Sequence, residues 1–171
     1  MTAILSMYWS ICLLKRGPQY VPSQALFLII LVSANLLANT ILQLSFIETE
    51  TPLSVFSFML VSLVITCVLV WAALHLKKQL NRFPQTISAM VGCDLLITLL
   101  GSFAIAFSST GSANDQLTQG IAVLFAIWTF AVWGYVLHHA LSISVLQGIS
   151  LSMAVVFLSR IIAGSLTTSL I

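Results

Sequence analysis

Five apolar stretches, each twenty residues or longer and separated only by short polar breaks, decide what this chain can fold into. A bilayer core is about 30 Å thick, and a helix rising about 1.5 Å per residue needs roughly 20 residues to cross it. The stretches cover 25–46, 53–76, 83–107, 117–137 and 143–166, so each is long enough to span. They are uniformly apolar and do not alternate like the ten-residue strands of a membrane barrel. Helices bond every backbone N–H and C=O internally, which lipid demands. The expected fold is therefore an all-α integral membrane domain occupying 1–171, with five transmembrane helices. Charge supports this. Six basic and four acidic residues make 6% of the chain, and 60% is hydrophobic, whereas soluble domains carry about 25% charged residues. Ten charges cannot coat a water-facing globule of this size.

The segment before the first span, 1–14, ends at Lys15-Arg16-Gly17-Pro18. As a helix it is about 21 Å long, too short to cross. Thr2, Ser6 and Ser10 recur every four residues and share one face. An interfacial or partly inserted helix over 1–16 is expected. Its basic residues follow the apolar run and no small-residue cleavage site comes after it, so it reads as retained and not as a signal peptide.

Lysine and arginine set the orientation. Lys15, Arg16, Lys77, Lys78 and Arg82 lie on two breaks that must share one side, which is expected to be cytoplasmic. Glu48, Glu50 and Asp115 lie on the opposite breaks. With five spans, the N-terminus is then cytoplasmic and the C-terminus periplasmic in an inner membrane. "RGPQY" (16–20) and "RFPQT" (82–86) share R-x-P-Q just before a span. Arginine at the headgroups and proline in a first helical turn, where its missing N–H costs nothing, account for both without a duplication.

Asp94 is the sharpest single feature. With a helix starting near Pro84 it lies ten residues in, about 15 Å deep. A carboxylate there costs roughly 2.5–3.5 kcal/mol on insertion scales and needs a partner, an ion or water. Asn35, Asn39 and Gln43 recur every four residues in the first span and form a polar stripe that should face protein. Two readings stay open: Asp94 bonds to this stripe, or both line an ion or proton path. Arg160 lies about 25 Å from the cytoplasmic start of the last span, about 10 Å beyond Asp94. Snorkelling to the outer headgroups ranks first for it, pairing with Asp115 or Glu50 second, and a bridge to Asp94 third.

Trp71, His75, Tyr135, His138 and His139 collect at the cytoplasmic ends of the second and fourth spans and read as an interface belt. Neighbouring histidines on a helix diverge by about 100°, and no carboxylate or H-x-x-x-H spacing joins them, so no metal or other cofactor is expected. Trp128 sits mid-span and wants an acceptor for its indole N–H. The pairs Ser88/Gly92, Ala122/Ala126 and Gly148/Ser152 allow close helix contact. Cys12, Cys67 and Cys93 are odd in number, fall in apolar runs, and read as small buried hydrophobes. There is no nucleophile elbow, phosphate loop, dinucleotide fingerprint or H-E-x-x-H, so no enzyme is expected. No basic run with interleaved aromatics speaks for nucleic acid.

"RFPQTISAMVGCDLLITLLG", then "LFAIWTFAVWGYVLHHAL" and a small final span, resemble the Yip1-domain membrane proteins over 82 to about 160. The resemblance implies five spans, a cytoplasmic N-terminus, and a scaffold or adaptor role in assembly or trafficking, here in a compact bacterial form. It carries no site residues across. The expected function is a membrane-embedded scaffold or accessory subunit meeting other membrane proteins, or its own copies, through helix contacts. The alternative is a small transporter or channel component, with Asp94 and the Asn35/Asn39/Gln43 stripe lining its path.

Overall fold

The structure, a computed structural model, describes residues 2–15, 17–18, 21, 24–46, 51–109 and 115–168. Among these there is no strand. Six α-helices follow one another: α1 (Thr2–Cys12), α2 (Ala25–Phe46), α3 (Pro52–Leu76), α4 (Phe83–Ser109), α5 (Asp115–Leu141) and α6 (Val145–Thr168). The last five are long and apolar enough to cross a membrane, and the chain is an all-α, multi-pass membrane protein.

The helix ends follow local chemistry. Thr51 caps α3 by accepting the Ser54 N–H at 3.3 Å, with Pro52 in the first turn. A short 3-10 turn, Leu80–Arg82, leads directly into α4 at Phe83, and Pro84 falls in the first turn as the sequence suggests. α5 runs to Leu141, past the expected end at 137. It stops where Ser142 turns left-handed at φ 53° and Ile143 N–H reaches back to the His138 carbonyl. α6 starts at Val145, two residues later than expected, because Ser144 and Gln147 form a reciprocal capping box at 3.1 and 3.3 Å.

The five long helices close into a ring in the order α2–α3–α6–α5–α4 and back to α2. Neighbours in an up-and-down chain are antiparallel, but a ring of five must contain one parallel pair. That pair is α2 and α4: Asn35 meets Val91 and Asp94, and Asn39 meets Asp94 and Thr98, the numbers rising together. Parallel helix dipoles gain nothing from each other, and this is where interhelical hydrogen bonds concentrate.

At the closest approach of the ring, α5 and α6 touch backbone to backbone at Gly134 and Gly148, and the Ser152 hydroxyl is shared between the Ile149 carbonyl of its own helix at 2.8 Å and the Phe130 carbonyl across the contact at 3.1 Å. α1 does not lie apart from the ring. Tyr8, Ile11 and Cys12 are buried against α4 and α5. The Tyr8 ring fills a notch where Gly92 has no side chain, and the Trp128 indole N–H donates to the Cys12 carbonyl at 3.0 Å. The Cys12 and Cys93 thiols, far apart in sequence, meet across this contact.

One end of the ring gathers the basic residues. Gly17 packs on His139, and Arg82 Nη1 donates to the His139 carbonyl at 3.1 Å, joining the breaks that carry Lys15, Lys77 and Lys78. Arg16, Glu48 and Glu50 lie outside the described residues. Fully buried Val70, Leu74, Met90, Val132, Val136 and Leu137 fill the half of the ring next to this basic end. Outward faces carry exposed Leu26, Ile29, Ile41, Phe103, Leu124 and Ile161, a surface suited to lipid.

Candidate functional site

The core is asymmetric. By helix rise, Val70, Met90 and Val132 lie within about 14 Å of the basic end. Mostly beyond them lies a cavity of about 360 Å³, to which all five spanning helices contribute. Its floor is Ile87, Met90 and Trp133; its walls reach Ile105 and Ala122 toward the far end.

Asp94 faces this cavity from α4. Its Oδ2 accepts from Asn35 Nδ2 at 2.8 Å and from Asn39 Nδ2 at 3.1 Å. Asn35 also donates to the Val91 carbonyl at 3.3 Å, and Asn39 to the Asn35 carbonyl at 3.1 Å. The i, i+4 stripe on α2 thus presents two amides to one carboxylate oxygen. Gln43, one turn further on, is half-buried and does not reach the carboxylate. Both amide bonds fall on Oδ2, so Oδ1 is left to the cavity.

Arg160 lines the same cavity from α6. Its Nη1 rests on Met59 Sδ at 3.5 Å, and its guanidinium lies 5.4 Å from the Phe58 ring centroid. Met59 and Phe58 sit in the second turn of α3, so the guanidinium stays within the bundle and not beyond its far end. No ion pair within 4.0 Å joins it to Asp94. Glu50 is outside the described residues, and the side chain of Asp115 is likewise undescribed.

Sequence reasoning did not single out the hydroxyls of the cavity wall. Ser62, Thr66, Thr129 and Ser159 all line it. Thr66 donates to the Ser62 carbonyl at 2.9 Å, Thr129 to Phe125 at 3.0 Å and Ser159 to Val156 at 2.9 Å. With their protons given to their own helices, the Thr66, Thr129 and Ser159 hydroxyls present lone pairs to the cavity. By helix rise Thr66, Asp94 and Thr129 share a level about 15–18 Å from the basic end. The only sequence signal was the four-residue spacing of Ser62 and Thr66.

The belt residues lie elsewhere. Trp71 stacks on His75 at 5.2 Å, and both are exposed. Tyr135 meets His139 edge-on at 4.5 Å, and His138 donates from Nδ1 to the Ile143 carbonyl, closing the α5–α6 turn. Among the described residues no three His, Cys, Asp or Glu side chains converge as metal ligands would. No family model, curated protein or solved structure matches this chain.

Proposed function

We propose that this chain is a small membrane transporter or a solute-binding component of one, with the cavity between its five helices as the binding site. One observation carries the reading: every spanning helix lends side chains to a single cavity built around Asp94, mid-bundle. Polar and ionisable groups at that depth are costly and are kept at ion and solute paths. A packed apolar seal on the basic side and, beyond it, a largely apolar chamber carrying Asp94 and Arg160 suit access from one face at a time. By the distribution of Lys15, Lys77, Lys78 and Arg82, the sealed face is cytoplasmic and the chamber looks toward the periplasm across an inner membrane. The adaptor role implied by the Yip1-like resemblance asks for an outer face specialised to hold another helix. The described outer faces carry lipid-type side chains on every helix instead.

The test is Asp94→Asn. Asparagine keeps the shape and still accepts from Asn35, so the variant should fold and run as a single species in detergent. In proteoliposomes the wild type is expected to take up at least one of a panel of labelled small hydrophilic solutes faster than empty vesicles. The variant should fall to about a tenth of that rate or less, the effect of losing a charged partner in a water-poor site. Full uptake by the variant, or a wild type that co-purifies with a membrane partner and moves nothing, contradicts the reading.

A further inference from the structure

The cavity holds two opposite charges that do not touch. Asp94 is held on one wall by neutral amides of α2, and Arg160 on another by a thioether and an aromatic ring of α3. None of these partners cancels a charge. Desolvated opposite charges are cheapest when paired directly, so keeping them on separate walls of one cavity leaves room for something between them.

Three features define what fits. Oδ1 of Asp94 has no amide on it, and Thr66 and Thr129 at the same level offer lone pairs beside it. Acceptors around a carboxylate suit an ammonium group. Arg160 spends one N–H on Met59 and keeps the rest of its fork for a carboxylate or similar anion. By helix rise its level lies about 6 Å beyond that of Asp94, a gap that one compact molecule can bridge. Beside them the wall carries Leu63, Ile97, Phe125 and Phe130, which suits an apolar side chain. A simple cation meets Arg160, and a simple anion meets Asp94; each is opposed by one wall.

We propose that the cavity binds a small zwitterion with an apolar body, of the free amino-acid class, its ammonium group on Asp94 and its carboxylate on Arg160. The inference rests on the solute-binding reading above and names the solute class for that same site.

The test uses the purified full chain in detergent and thermal stabilisation as readout. The twenty common free amino acids are titrated singly; each that binds is compared with its carboxamide and its N-acetyl derivative. At least one apolar amino acid is expected to raise the midpoint, with both capped forms about a hundredfold weaker, since each leaves one buried charge unpaired. Arg160→Gln should bring the parent down to the affinity of its carboxamide while leaving the carboxamide unchanged. A carboxamide as tight as its parent in the wild type overturns the zwitterion assignment and needs no variant that might misfold; if Asp94→Asn still abolishes that binding, the solute site itself stands. Silence from all twenty also overturns the assignment. If amino acids bind equally well to wild type and Asp94→Asn, both the assignment and the site fail together.

Discussion

Gly148→Ala is expected to destabilise the protein by about 3 kcal/mol, the upper part of the range for forcing a methyl into a filled contact. The added Cβ would run into the Gly134 carbonyl oxygen, and the reciprocal change at Gly134 would place one 2.6 Å from the Ile149 Cα. Both obstacles are backbone, so no rotamer change relieves them and α5 and α6 must move apart. Separation also breaks the Ser152–Phe130 bond. Gly120→Ala is the matched control: a Cβ there meets nothing within 4 Å, and its effect should stay within about 0.5 kcal/mol. Unfolding in mixed micelles as detergent composition is varied compares the two. Equal stability of both variants would mean that α5 and α6 do not meet at their backbones.

The second large effect concerns the parallel pair α2/α4. Removing the Asn35 amide leaves Asp94 Oδ2 with one donor in place of two and opens a hole at a site only 5% exposed. Hydrogen bonds between membrane helices average about 0.6 kcal/mol and reach about 1.7, because the separated helices find other partners in lipid. The short Asn35–Asp94 contact to a carboxylate belongs at the top of that range. A double-mutant cycle with Asn35→Ala and Asp94→Ala should give a coupling of about 1.5 kcal/mol. Gln43→Ala, which removes no bond to the carboxylate, should couple to Asp94 by less than about 0.3 kcal/mol. A coupling near zero for Asn35 would show that the amide does not hold the carboxylate.

The five spans were legible because their length and composition leave lipid as the only environment that suits them. The Asn35/Asn39 stripe was legible from its spacing, and the depth of Asp94 from counting residues after Pro84. The spacing of Gly148 and Ser152 announced a close contact, but not that Gly134 would be the other half of it. Ring order was not legible. Apolar helices in lipid carry no polar outer face to mark their orientation, so nothing in the sequence says that α3 closes against α6. The cavity hydroxyls were hidden for a related reason: a serine or threonine in an apolar helix can satisfy itself on its own i−4 carbonyl. Thr66 and Thr129 do so while lining the cavity, so the residue type does not separate lumen from lipid. The N-terminal segment was too short to cross, but its burial depends on the Gly92 notch, which only the fold reveals.

The native cysteines test the chamber itself. Cys67 lines the cavity at the edge of the apolar seal, whereas Cys12 and Cys93 are buried between α1 and α4. A small, charged, membrane-impermeant methanethiosulfonate reagent reacts with thiols only where water carries it. Added to right-side-out vesicles holding the unmodified protein, it should label Cys67 and leave Cys12 and Cys93 untouched, as read by peptide mass. Blockade of Cys67 to this reagent from both faces of the membrane, with labelling by a lipid-soluble maleimide intact, would contradict a water-accessible chamber at the centre of the ring.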